Sequence, residues 1–179
     1  MSFSRPKKKL YAEDELYEYA VAALARRMRT VAELKRLLRR RVDAETEFGQ
    51  TLVQLIIRRL KDQGYLNDAS YAASYSSFRR DNEKFGPRRV ITDLKVKGIH
   101  ANLIEQAVSA AYRDVNEEQQ ARAYLKRKRL MQPRDQKQAA RIFRQLVRAG
   151  FTTKTILTLL KTWDVDDDTL TALESESSD

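Results

Sequence analysis

Side-chain catalysis needs partners at the right spacing, and this chain supplies few. It has one histidine, His100, and no cysteine, so thiolate nucleophiles, thiolate metal sites and disulfides are excluded. His100 follows Gly98-Ile99 where a helix should begin, with no second histidine and no serine beside it. A cap or surface role suits it better than nucleophilic catalysis, which needs a paired base. Glu13-Asp14-Glu15 is the densest acidic run outside the C-terminal segment. It is read as an acidic helix start favoured by the helix dipole rather than as a catalytic carboxylate pair. Asp166-Asp167-Asp168 lacks the glycine and distal glutamate of a calcium loop. No P-loop or dinucleotide-binding glycine pattern occurs. The expectation is a protein that is not an enzyme and that uses no cofactor or metal.

The basic residues are more informative. The chain carries 35 Lys and Arg against 25 Asp and Glu, a formal charge of +10. Residues 164–179 hold seven carboxylates and no Lys or Arg, so residues 1–163 carry +17. A body of that charge attracts polyanions or acidic protein surfaces. Residues 26–41 hold Arg26, Arg27, Arg29, Lys35, Arg36, Arg39, Arg40 and Arg41 against Glu33 alone. Arg79-Arg80 and Arg88-Arg89 add two doublets in mid-chain. Residues 121–148 hold ten cations against Asp135 alone, among them Lys126, Arg127, Lys128, Arg129, Lys137, Arg141, Arg144 and Arg148. The last four are spaced by four, three and four residues, which places them on one helix face. A solvated face is the usual fate of such a run, but its recurrence along the chain favours binding. Arg39, Arg40, Arg79, Arg80, Arg88, Arg89, Lys126 to Arg129 and the Lys137–Arg148 face are the candidate contacts to a partner or to DNA.

Tyr65, Tyr71, Tyr75 and Phe78 could stack on single-stranded bases, but their helical spacing favours core packing. The stretch from Val90 to Val108 resembles a helix-turn-helix, a weak signal in any array of short helices.

The elements that must hold these residues read as helices throughout. Gly numbers 5 and Pro 3, too few for many tight turns. No long segment alternates apolar and polar residues as a strand would. Leu16, Ala20, Ala23 and Leu24 mark a helix from about Asp14 to Met28. Thr30 and Glu33 form a capping box for the next, which carries Leu34, Leu37 and Leu38. Leu52 to Leu60 marks a third, closed by Gly64. Asn67 or Asp68 caps a helix through Tyr71 and Phe78. Pro87 opens one lined by Val90, Ile91 and Leu94, and Leu103 to Tyr112 makes another. Residues from about Asn116 to Leu130, then Asp135 to Val147, then Ile156 to Trp163 complete the series.

Two joints match closely: Leu94 four residues before Gly98-Ile99, and Leu146 four before Gly150-Phe151. Each is a helix C-cap with its hydrophobic contact, and they lie 52 residues apart. The first unit lacks the glycine and carries an insert, residues 43–50. The expected fold is all-α, an elongated tandem array of three three-helix repeats. Its divisions are a basic arm over 1–13, repeats over 14–64, 65–114 and 115–163, and an acidic tail over 164–179 with too little apolar surface to order.

At this point a family resemblance emerges. Gly64-Tyr65-Leu66-Asn67-Asp68 with Tyr71-Ala72, Tyr75 and Arg79 resembles the most recognisable segment of the RecX family. Gly86, Arg89-Val90, Leu94 and Lys97-Gly98-Ile99 resemble the next, and Arg148-Ala149-Gly150-Phe151 the third-unit joint. The resemblance covers roughly residues 14–163 in order; the insert and the acidic tail fall outside its pattern. It implies an elongated helical array that binds the RecA recombinase and lies in the groove of its filament on single-stranded DNA. It further implies inhibition of filament growth, ATP hydrolysis and strand exchange, in homologous recombination, DNA repair and the SOS response, with weak direct DNA binding and no catalytic residues.

The competing reading is a helical DNA- or RNA-binding protein acting without RecA, betrayed by strong salt-dependent binding to naked nucleic acid. The N-terminus has no apolar region of a secretory signal, and no run approaches the ~20 apolar residues of a membrane helix. A cytoplasmic location, no membrane partner and a monomer are expected.

Overall fold

A computed structural model of the chain describes residues 10–176. All regular structure among them is helical, and no helix is long and apolar enough to cross a membrane. Ten helices follow in order: α1 Glu13–Arg26, α2 Val31–Leu38, α3 Glu47–Asp62, α4 Asp68–Asp81, α5 Pro87–Val96, α6 Ala101–Tyr112, α7 Glu117–Arg127, α8 Gln136–Arg148, α9 Thr153–Lys161 and α10 Asp167–Glu176. They group into two compact units. One contains residues 10–71 together with residues 97–100; the other contains residues 72–96 and 101–176.

In the first unit, α1 and α2 both pack on α3. Leu16, Ala20, Leu34, Leu38, Ile56 and Leu60 are fully buried at helical spacing and form its core. The caps explain where the helices start. Thr30 accepts the Glu33 amide at 3.1 Å, while Glu33 Oε2 accepts the Thr30 amide at 3.3 Å, the reciprocal capping box. The Thr30 hydroxyl also donates to the Lys97 carbonyl at 2.7 Å, and Asp68 Oδ1 accepts the Val31 amide at 2.8 Å. Both extra bonds tie the head of α2 to segments distant in sequence. Glu33 further pairs with the Lys97 ammonium at 3.2 Å.

The second unit has two apolar layers. Val90 and Leu94 of α5 are buried beside Ile104, Val108 and Ala111 of α6, its most extensive helix neighbour. The larger core gathers Tyr124 and Leu125 of α7, Ile142, Phe143 and Leu146 of α8, and Ile156, Leu159 and Leu160 of α9, with Phe151 between them. Asn116, Asp135 and Thr152 cap α7, α8 and α9 through their side chains. The Glu117 carboxylate takes the Thr152 amide at 2.8 Å and the Thr152 and Thr155 hydroxyls at 2.7 and 2.6 Å, locking the head of α9 to α7.

Three expectations are corrected. The segment after Trp163 does not stay unstructured: α10 packs on α8 and α9, with Leu170 and Leu173 buried in the same core. The net acidity hid this. Asp166 accepts both the amide and the hydroxyl of Thr169 at 2.8 Å, a cap that starts the helix, and two leucines three residues apart suffice to seat it. Residues 177–179 of that segment, like the basic residues before position 10, lie outside the described residues. Second, α7 stops at Arg127 rather than near Leu130. Arg129 takes a left-handed conformation (φ 55°) and the Leu130 amide returns to the Leu125 carbonyl at 2.9 Å. That is a C-terminal turn of the kind glycine usually makes. Third, the aromatic set divides. Tyr71 is buried, but Tyr65 and Phe78 are 61% and 53% exposed, so only part of it is core.

Candidate functional site

Glycine decides where the site forms. In the second unit the Gly86 amide donates to the Ala149 carbonyl at 2.9 Å, and the Arg88 amide to the Gly150 carbonyl at 3.2 Å. The head of α5 therefore lies directly on the turn between α8 and α9. Gly150 has φ +90°, and a Cβ there would stand 2.6 Å from the Cβ of Arg89. Only glycine permits both the turn and the approach. The contact brings Arg89 beside α8, which begins at Gln136, 47 positions later in sequence.

The result is an open cleft of about 460 Å³ lined by Phe85, Arg89, Tyr124, Lys128, Arg141, Arg144, Gln145, Arg148 and Ala149. Five of those nine side chains are cationic, and none is acidic. Tyr124 and Phe85 form its apolar part, with ring centroids 6.1 Å apart, and Tyr124 meets Phe151 edge to face at 5.9 Å. The Lys128 ammonium lies 5.8 Å from the centre of the Tyr124 ring. Among the described residues, Lys128, Arg141 and Arg148 form no ion pair within 4.0 Å. Arg141 and Arg148 lie on one exposed helix face with Lys128 also in the lining, so an anion seated among them would offset their charge.

Phe85 and Arg89 are positioned by a network behind the cleft. Asp93 pairs with Arg89 Nε at 3.0 Å and with Arg79 at 3.4 Å, and accepts the Tyr75 hydroxyl at 3.0 Å. Arg79 Nε donates in turn to the Tyr75 oxygen at 2.8 Å and its guanidinium lies 5.3 Å from the Phe85 ring centre. Burial and the Asp93 carboxylate push the Tyr75 hydroxyl up, against the opposing pull of Arg79, so it serves as a fixed donor. Tyr112, also pushed up by burial, donates to the Phe85 carbonyl at 2.8 Å.

The structure sorts the expected basic residues. Arg89, Lys128, Arg141, Arg144 and Arg148 line the cleft, whereas Lys137 on the same helix as the last three does not. Arg79 belongs to the supporting network. Arg80 is also structural: it pairs with Asp81 at 2.7 Å and bonds the Ala111 carbonyl. Arg127 pairs with Glu83 at 3.3 Å. Arg88, Lys126 and Arg129 are exposed away from the cleft lining, and Arg39 and Arg40 are exposed in the turn after α2 of the first unit. His100 is exposed just before α6. Sequence reasoning missed Phe85 and Tyr124; the signal was Phe85 standing immediately before the Gly86-Pro87 helix start. Among the described residues no group of three His, Asp or Glu could hold a metal ion.

An all-helical framework of short capped helices defines a class, the helical-repeat folds. Comparison with known proteins specifies the member. Residues 67–108 match the model of the second three-helix domain of RecX. A regulatory protein RecX of Deinococcus radiodurans is 38% identical over 152 residues, covering 82% of this chain and 67% of that protein. One from Myxococcus xanthus is 32% identical over 82% of this chain and 83% of its own length. The chain belongs to the RecX family of regulatory proteins. It spans only 56% of the length of the Bacillus licheniformis relative, at 31% identity. The crystal structure of RecX from Lactobacillus salivarius shares the fold, with a TM-score of 0.65 at 23% identity over 85% of this chain and 96% of that one.

Proposed function

We propose that the chain regulates RecA by binding its filament on single-stranded DNA, and that it inhibits filament growth, ATP hydrolysis and strand exchange in recombination, DNA repair and the SOS response. Family membership supports the regulatory role. The observation on this chain that supports a polyanionic or acidic target is the cleft, where five cations meet with no carboxylate among the lining residues. In this reading the protein acts as a monomer in the cytoplasm, its helices divide into three three-helix repeats, and direct contact with single-stranded DNA is weak.

The test is single-stranded-DNA-dependent ATP hydrolysis by the RecA of the same source, with this protein added well below one per RecA. Loss of hydrolysis without competition for bare DNA is the expected outcome. Unchanged hydrolysis, with tight binding to naked nucleic acid, would instead favour a direct DNA- or RNA-binding role. That second reading also draws on the cleft, whose cations would release counterions from a phosphate backbone.

A further inference from the structure

The cations of the cleft come from three segments. Arg89 arrives from α5, Lys128 from the C-terminal cap of α7, and Arg141, Arg144 and Arg148 from α8. The α8 arginines alone span roughly 10 Å of helix axis. Arg89 and Lys128 add charge from other elements, so the cations surround a volume of about 460 Å³ rather than lie along a single line.

That arrangement is selective. A nucleic-acid strand carries its charges one per phosphate, spread along the chain, and a row of cations is its natural match. A cluster of guanidinium forks around a concave volume instead suits a short anion dense in oxygen, each fork holding two oxygens in one plane. The acid nearest the site in the supporting network, Asp93, is engaged by Arg79, Arg89 and Tyr75 and lies outside the lining. It orients Arg89 through Nε without adding a carboxylate to the wall.

We propose that the cleft is a binding site for a compact polyphosphate chain, whether free tripolyphosphate or the phosphate tail of a nucleoside triphosphate. This inference does not depend on the RecA reading. The phosphates sit among Arg141, Arg144, Arg148, Arg89 and Lys128. The half-exposed Phe85 ring offers an apolar wall to a base if one is attached.

Calorimetric titration of the full chain at low ionic strength tests it, with sodium tripolyphosphate, ATP, AMP and oligothymidine as probes. One-to-one saturable binding of tripolyphosphate and ATP is expected, with AMP at least about tenfold weaker because two phosphates are lost. R141Q/R144Q/R148Q should weaken tripolyphosphate roughly 30-fold or more, and K137Q, on the same helix outside the cleft, by less than about twofold. These side chains are exposed, and an unchanged helical circular dichroism spectrum confirms the fold; R148Q alone serves if the triple variant misfolds. Equal affinity for the two triphosphates identifies recognition of phosphate alone, and tighter ATP, lost in F85A, adds the base. Absence of saturable tripolyphosphate binding, binding retained by the triple variant, or equal displacement by sulfate at matched ionic strength would overturn the proposal. So would binding confined to oligothymidine, which would make the cleft a strand site.

Discussion

The Gly86 amide donates to the Ala149 carbonyl at 2.9 Å, which seats the start of α5 on the turn from α8 to α9. Together with the Arg88 amide on the Gly150 carbonyl, this contact joins Arg89 to the arginines of α8. A site assembled in this way is sensitive to any atom added at the seam.

Replacing Gly150 with alanine should therefore cost more than a left-handed alanine ordinarily does. Its φ is +90°, and the added Cβ meets backbone and Cβ atoms of Arg89. The loss expected is about 3 kcal/mol, from a conformational cost of about 1–2 kcal/mol plus displacement of α5. Gly64 is the control: its φ is +76°, and an added Cβ would have nothing within 4 Å of it. Gly64→Ala should lose only about 1 kcal/mol. Urea unfolding of both variants measures the difference, and equal losses would mean that the seam can shift freely.

The Glu33–Lys97 pair predicts a pH dependence in the first unit. Both side chains are more than three-quarters buried, and the contact is 3.2 Å. Burial opposes ionisation of Glu33, but the bonds from Lys97 and the Thr30 amide and the nearby Arg27 charge hold its carboxyl below the usual range. Lys97 is raised against its own burial by Tyr71 and Glu33. A depressed acid stabilises above its unfolded pKa and loses that contribution as pH falls through the folded one. A raised base does the reverse at high pH. The stability difference between wild type and Glu33→Gln should thus be flat, at about 1 kcal/mol, from about pH 5 to about pH 10, and should shrink outside that window. Chemical denaturation across pH 3–11 reads it (roughly the range set by the two ordinary values); a difference that grows on acidification would refute the assignment.

Ser76 on α4 is fully buried, and its hydroxyl has no hydrogen-bond partner among the described residues. A buried unsatisfied hydroxyl costs free energy that alanine avoids, and alanine is also the better helix former. Ser76→Ala should raise stability by about 1 kcal/mol, visible as an increase in Tm. A decrease would mean that the hydroxyl has a partner in solution, such as a water.

Much of the fold was legible because its signals are local. Thr30 with Glu33, Asp135, and the Leu-x-x-x-Gly-apolar joints at Gly98 and Gly150 each act within a turn or two of chain, and the structure has these caps with φ of 78° and 90° at the two glycines. The basic face of α8 was legible for the same reason. The cleft was not, since Arg89 and Phe85 reach it through a backbone contact that no periodicity encodes. Phe78 obeys helical spacing near buried neighbours yet faces solvent, and Tyr65 falls in the turn between α3 and α4; spacing places a residue on a face but does not say whether anything covers it. The acidic composition of residues 164–179 masked Leu170 and Leu173, whose burial depends on an apolar surface built by α8 and α9.

That surface makes α10 testable. Leu170 and Leu173 are 8% and 3% exposed within the core of the second unit. Truncating a buried leucine to alanine costs about 2–5 kcal/mol, with the lower end expected at a terminal helix able to relax. The double variant Leu170→Ala/Leu173→Ala should lower Tm and speed amide exchange in α8 and α9, while leaving α1 to α3 as protected as before. Unchanged exchange in α8 and α9 would show that α10 adds nothing to that core.

The two basic regions can be separated functionally. Arg141, Arg144 and Arg148 share the cleft, whereas Arg39 and Arg40 stand in a turn of the other unit and Lys137 lies outside the cleft on α8. If the cleft carries the regulatory contact, R141Q/R144Q/R148Q should raise the concentration needed to suppress RecA ATP hydrolysis by about tenfold or more. Each lost guanidinium removes a charge-assisted interaction, discounted for exposure. K137Q should change it by less than about twofold, because an exposed charge outside the contact contributes little. R39Q/R40Q tells which unit faces the filament. An effect as large as that of the triple variant would mean that both units make contact at once, each lending the other a high effective concentration. No effect would confine the contact to the second unit. A triple variant that suppresses hydrolysis as well as wild type would remove the cleft from the regulatory mechanism.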